Sequence, residues 1–196
     1  MSAIAHDPSP GIDWLPAADF ADGRPGRIGM TVLPGKRGPS QRYPGRVYRA
    51  DLDADLDALR RAGVRRLMLL VEDAELTRWS DSTIVERGAG HGIEIERHPM
   101  PDGAPPSSVA AMDAILGSLA EARSVSDAAV ACMGGVGRTG TVVACALVLA
   151  GWQPDAAMAR VREVRHPTAI ETPSQVRFVR SYWGVRRSGS LPSGRD

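Results

Sequence analysis

The stretch 127–151, "DAAVACMGGVGRTGTVVACALVLAG", constrains the fold more than any other part of the chain. A short apolar run, a glycine-rich turn and a helical segment apolar on nearly every side all have to be buried together. The run suits a short buried strand, and the helix after it must be central. Gly134, Gly135 and Gly137 let the connecting backbone curl with its N–H groups pointing inward, and the helix that follows adds its positive end. An oxyanion or a phosphate is the natural occupant of such a nest, with Met133, Gly134, Gly135, Val136 and Gly137 as its phosphate-binding positions.

The two side chains that bracket this loop carry chemistry. A helix N-terminus and a nearby guanidinium favour thiolate and bring a cysteine pKa below its free value of about 8.5, so Cys132 reads as a nucleophile. The planar fork of Arg138 suits two oxygens of a phosphoryl group passing through an in-line transition state. The Thr139 hydroxyl is one residue further on, within reach of the sulfur. A nucleotide-binding loop does not fit, because Thr141 stands where that motif needs lysine, and the only lysine of the chain is Lys36. A core cysteine before an ordinary turn describes Cys145, inside the apolar helix, but leaves the glycines, Arg138 and Thr139 unexplained.

Strand and helix patterns alternate along the rest of the chain. Residues 27–36 read as a first strand stopped by Pro34 and Gly35, and 37–45 as a surface loop. Residues 52–63 carry leucines at 52, 56 and 59, one face of a helix closed by Gly63, and 64–72 is a continuous apolar strand. A short helix over 80–92, a strand over 93–97, a serine-capped helix over 108–124 and two helices opened by Pro154 and Pro173 complete the pattern. The implied fold class is α/β, a central mostly parallel sheet flanked by helices. Three regions follow: an irregular arm over 1–26, one domain over 27–184 and a flexible tail over 185–196.

Bulk properties narrow the function classes. The 196 residues, 43% of them hydrophobic and 24% charged, suit a single core. A formal net charge of +1 gives no reason to expect nucleic acid or an anionic membrane as partner. The run of Arg177, Arg180, Arg186, Arg187 and Arg195, with no acidic residue between Glu171 and Asp196, reads as a solvated helix face and tail. Two cysteines support neither a disulfide framework nor a four-thiolate zinc site, and no ligand spacing implies a metal or cofactor. No secretory signal pattern and no apolar run of about 18 residues is present, so a cytoplasmic protein is expected.

Residues 132–140, "CMGGVGRTG", match the cysteine, five residues, arginine, serine or threonine signature of the protein tyrosine phosphatase superfamily. The chain further resembles the kinase-associated phosphatase branch of the dual-specificity phosphatases over roughly 27–183. This resemblance rests on "VLPGK" (32–36), "DLDALRRAGV", Glu75-Leu76, "HPMPDGAPP" (98–106), the cysteine loop and "AIETPSQ" (169–175). It implies that Cys132 attacks phosphorus to form a phosphocysteine. It also implies that Asp102 is the acid for the leaving oxygen and later the base for water, and that Gln175 positions that water. The prolines make 98–106 a stiff loop after a strand, which suits such an acid. Asp73 and Glu75, placed on the loop after the central strand, are the fallback acids. His98 and His166 each precede a proline and read as structural.

One departure stands out: most relatives carry histidine directly before the nucleophile, where this chain has Ala131. Its loss predicts a less acidic Cys132 and slower chemistry. The leading expectation is a metal-independent protein phosphatase acting on phosphotyrosine, with phosphoserine and phosphothreonine as further substrates. The uncharged loop positions favour a substrate bearing one phosphate. The alternatives are a phospho-ligand binding module with weak turnover, a small-metabolite phosphomonoesterase and, sharing the thiolate loop, a persulfide sulfurtransferase. Oligomeric state is not legible.

Overall fold

A computed structural model describes residues 11–40 and 44–189 of the chain. The elements in order are β1 (Asp13–Leu15), a 3-10 turn (Ala17–Phe20), β2 (Ile28–Val32), β3 (Arg37–Pro39), β4 (Val47–Arg49), α1 (Leu52–Arg61), β5 (Val64–Leu69), α2 (Asp73–Trp79), α3 (Ile84–Gly90), β6 (Glu94–Arg97), α4 (Val109–Arg123), β7 (Asp127–Cys132), α5 (Gly137–Leu149), α6 (Pro154–Val164) and α7 (Pro173–Gly189). Five strands form one sheet in the order β1-β2-β7-β5-β6, and β3 pairs with β4 in a separate hairpin. Within the large sheet β2, β7, β5 and β6 run parallel, and β1 joins the β2 edge antiparallel. This is the α/β class expected from the alternation of patterns.

Burial accounts for the arrangement. Leu67, Met68 and Leu69 of β5 are all inaccessible, so side chains of both parities are covered and helices must lie on both faces. Helices α1 and α3 pack together against β5 and β6, while α5 packs on β7 and β2 and is surrounded by α4, α6 and α7. Every residue of α5 from Gly137 to Val148 is buried, as the all-round apolar sequence requires. Asp51 caps α1 by accepting from the Ala54 amide at 2.9 Å, and Leu52, Leu56 and Leu59 turn into the core. Ser108 caps α4 through the Ala111 amide at 3.0 Å. Among the described residues no helix is long and apolar enough to cross a membrane.

Four expectations need correction. The arm is not wholly irregular: over its described part, 11–26, it supplies β1 and the 3-10 turn, while 1–10 lies outside the described residues. Three residues are too few to show an alternating pattern, and β1 takes its place by pairing with β2. The presumed surface loop 37–45 contributes β3 to the hairpin, with Gly38 at φ +92°. Asp73 and Glu75 sit in the first turn of α2, not on a loop; Glu72 and Glu75 form a reciprocal capping box there. The segment expected as a tail from 185 continues α7 to Gly189, and 190–196 lies outside the described residues.

The parallel direction decides where chemistry can occur. The carboxyl ends of β2, β5, β6 and β7 open on the same edge of the sheet, and ligands of open α/β sheets bind beyond that edge. From it emerge the turn carrying Lys36, helix α2 with Glu75, the loop with Asp102, and the Cys132 loop.

Candidate active site

The loop from Cys132 to Arg138 is held from outside by its carbonyl oxygens. Lys36 Nζ donates to Met133 O at 3.1 Å, Arg165 Nη2 to Gly134 O at 3.1 Å and Arg165 Nε to Gly135 O at 2.8 Å. Val136 O accepts from the amides of Gly140 at 3.1 Å and Ile170 at 3.3 Å. A trans peptide carries its N–H opposite its C=O. Four outward carbonyls therefore turn the N–H groups of Gly134, Gly135, Val136 and Gly137 to the other side of the loop, the arrangement an anion nest would need. Gly135 is indispensable, because it lies at φ +66° and a Cβ there would run into the Thr31 carbonyl. A Cβ on Gly137 would meet the Glu171 carboxylate.

Arg138 lies at the first turn of α5 with a side chain only 1% exposed. Its Nη1 donates to Glu75 Oε2 at 2.6 Å and to Met100 O at 2.9 Å, and its Nη2 donates to Glu75 Oε1 at 2.7 Å. Nη2 also stands 3.0 Å from Asp102 Oδ1, whose carboxylate is otherwise open to solvent. Buried Arg138 Nε and buried Thr139 Oγ1 have no hydrogen-bond partner within the protein. Two such orphans on adjacent residues at the head of the central helix are uncommon in a packed interior. They are the groups a phosphoryl oxygen and a thiolate would use. Burial works against the charge of Arg138, yet Glu75, Cys132 and Asp102 together raise its pKa.

Glu75 is an anchor and not a fallback acid. Burial pushes its carboxyl upward, but the Arg138 guanidinium and the Glu72 amide at 2.9 Å outweigh that and hold it below its ordinary 4.5. A carboxylate so held has no proton to give near neutrality. Asp73 is surface-exposed and pairs with Arg97 at 2.9 Å. The sign of the Glu75 shift fixes a pH effect. A depressed folded-state value adds stability that is complete above the unfolded pKa of 4.5 and disappears as pH falls through the lower folded value. Glu75→Gln is therefore expected to melt about 5 °C lower than the native chain at pH 7. The difference should shrink on acidification below pH 4.5, as thermal scans between pH 3 and 7 will show.

Asp102 rides on a loop tied to the sheet by amides of His98 and Met100, which donate to Leu69 O at 2.9 Å and Leu70 O at 3.0 Å. Thr172 Oγ1 donates to Gly103 O at 2.8 Å, joining this loop to the start of α7. Gln175 is fully buried. Its amide oxygen accepts from Thr172 N at 3.3 Å while its own N–H donates to Thr172 Oγ1 at 3.2 Å. "TPSQ" is thus a threonine–glutamine capping box. The remaining amide nitrogen reaches Ala104 O at 3.4 Å and lies beside Gly137, between the acid loop and the cysteine loop. Cys145 is buried in α5, and burial pushes its thiol up, consistent with a core residue. Sequence reasoning missed the roles of Lys36, Arg165 and the Glu75–Arg138 pair. Lys36 carried a signal, as the one lysine of the chain and the last residue of "VLPGK", and so did Glu75, through the Glu75-Leu76 pair of the resemblance; Arg165 carried none.

Comparison with known proteins places this geometry in context. The family model described as "Swiss Army Knife protein, DSP-PTPase phosphatase domain" matches residues 45–188. Cyclin-dependent kinase inhibitor 3 of Rattus norvegicus is 25% identical over 174 residues, 87% of this chain and 77% of that protein. The crystal structure of kinase associated phosphatase, with its catalytic-site cysteine replaced by serine, superposes with a TM-score of 0.80 at 21% identity, covering 95% of this chain and 100% of that one. Tk-PTP in its active form gives 0.64 at 28% identity over 83% of this chain and 93% of that one.

Proposed function

Because the chain belongs to the family of DSP-PTPase phosphatase domains, we propose that it hydrolyses phosphate monoesters on proteins through a phosphocysteine at Cys132, without a metal ion. Phosphotyrosine is the first substrate, with phosphoserine and phosphothreonine beside it. The observation that carries this reading is the meeting at one sheet edge of Cys132, the inward amides of 134–137, Arg138 and Asp102. The Asp102 oxygen 3.0 Å from Arg138 Nη2 marks that edge of the guanidinium as a seat for an anionic oxygen.

The chemistry proceeds in two displacements. The substrate phosphoryl settles in the nest, its oxygens taking the amides and the Nε–Nη2 edge of Arg138, and moves Asp102 off that edge toward the ester oxygen. The Cys132 thiolate attacks phosphorus as the P–O bond to the alcohol breaks, and Asp102 gives its proton to the departing oxygen. Water then attacks the phosphocysteine; Asp102 takes its proton, the Gln175 amide helps hold it, and the P–S bond breaks to return the thiolate. Thr139 Oγ–H is the donor that steadies sulfur in both steps. Acid quenching during turnover, followed by mass analysis, should find one phosphoryl group on the peptide containing Cys132. Its absence during steady turnover would sink the covalent route. Turnover is expected to persist in chelator.

The acid assignment gives a graded prediction. Removing a general acid costs about 100- to 10,000-fold where the leaving alcohol is poor. Asp102→Ala should lose activity in that range on an alkyl phosphate. On an aryl phosphate with a strongly acidic phenol, whose oxygen leaves unaided, the loss should be under about tenfold in the same steady-state assay.

A further inference from the structure

Lys36 is 8% exposed and the only lysine in the chain, and nothing said so far uses its charge. Its backbone is fixed on both sides. The Gly35 amide donates to Asp55 Oδ2 at 2.8 Å, Ser80 Oγ donates to Pro34 O at 2.6 Å, and Lys36 O accepts from the Ala50 amide at 3.0 Å. Its ammonium lies 4.0 Å from the centre of the Tyr48 ring and donates to Met133 O, the first outward carbonyl of the cysteine loop. Among the described residues no carboxylate pairs with it. A carbonyl needs only a neutral donor, and burying an ammonium is expensive. A retained charge in this position calls for an anion to answer it.

We propose that Lys36 is a positioning residue for the nucleophile, its ammonium pinning the first peptide of the loop through Met133 O and stabilising the Cys132 thiolate by its charge. The proposal rests on the reading of Cys132 as nucleophile. It supplies a cation at the first peptide of the cysteine loop, in a chain whose Ala131 brings none from β7. Burial and Arg46 pull the Lys36 pKa below 10.5, and a negative charge on Cys132 would oppose them. By reciprocity the ammonium favours the thiolate. The other charges around this loop are Arg138 from α5 with Glu75 and Asp102 on its guanidinium, Arg165 and Glu171 after α6, and Arg46 on the hairpin.

Two experiments test this without using turnover, so failure of the phosphatase reading and failure of this one stay distinguishable. In Lys36→Gln the donor to Met133 O is kept and the charge is lost. Alkylation of Cys132 by iodoacetamide at pH 6, followed on its own peptide by mass, should fall about tenfold, the equivalent of one pH unit in the thiol titration. Lys36→Arg should recover it to within about threefold. A Lys36→Gln protein that melts normally and alkylates at the native rate across pH 5 to 9 overturns the proposal. The second arm needs no change at Lys36. Biosynthetic labelling of lysine with carbon-13 gives a single side-chain signal, which should shift as Cys132 ionises and lose that step in Cys132→Ser. Identical titrations in the two proteins overturn the proposal even if Lys36→Gln does not fold.

Discussion

Cys132→Ser is expected to release phosphate from an aryl phosphate at least about 10,000-fold more slowly than the native chain, with the fold and the anion cradle intact. The size of the loss follows from ionisation. A thiol gives up its proton far more readily than a serine hydroxyl in the same place, and no histidine stands before position 132 to act as base. The structural cost is small, because Cys132 is 3% exposed at the end of β7 and serine is of nearly the same size. The carbonyl clamps from Lys36 and Arg165 do not touch the side chain, so the nest should keep its shape. Calorimetry should accordingly show the serine variant binding a non-hydrolysable phosphotyrosine analogue within about tenfold of the native affinity, with a melting temperature within a few degrees. Unchanged turnover in the variant would reject Cys132 as nucleophile. A native chain that binds the analogue and never turns over would instead favour the binding-module alternative.

What the sequence disclosed divides by distance along the chain. The residues proposed for the cradle were legible because they are local: Cys132, the glycines, Arg138 and Thr139 fall within eight consecutive residues, on one strand-to-helix turn. The parallel sheet was legible because β5 and β7 are continuous apolar runs and α5 is apolar all round. The scaffolding of the loop was not. Arg138 meets Glu75 across 63 residues, Lys36 meets Met133 across 97, and Arg165 meets Gly135 across 30. None of these pairs has a local pattern, since each exists only once the strand ends converge. Gln175 shows the same limit: only the packing of α7 against the acid loop buries it. The three-residue strands β1, β3 and β4 are too short for periodicity and owe their form to partners elsewhere.

Arg138→Lys is the sharper test of how the site handles charge, since it keeps the net charge and removes the fork. An arginine that stabilises a phosphoryl transition state is worth about 1,000-fold or more in rate, and lysine replaces its paired donors by a single point. In this chain the fork is shared. Nη1 is taken up by Glu75 and Met100 O, Nη2 by Glu75 and Asp102, and Nε alone has no protein partner. A lysine ammonium cannot satisfy the Glu75 carboxylate and the Met100 carbonyl while also reaching the phosphoryl oxygens. It should settle on Glu75, the partner that is always present. The expected result is a fall of about 1,000-fold in kcat/KM on an aryl phosphate, with kcat lower and KM higher, since the lost contacts serve both bound substrate and transition state. Stability should suffer less than in a variant that leaves Glu75 without any cation, because a buried carboxylate stripped of its partner costs about 3–5 kcal/mol. Arg138→Lys should therefore melt closer to the native chain than Arg138→Met. A lysine variant within tenfold of native kcat/KM would mean that the amide nest alone carries the phosphoryl charge, and that the unpartnered Nε of Arg138 has no part in catalysis.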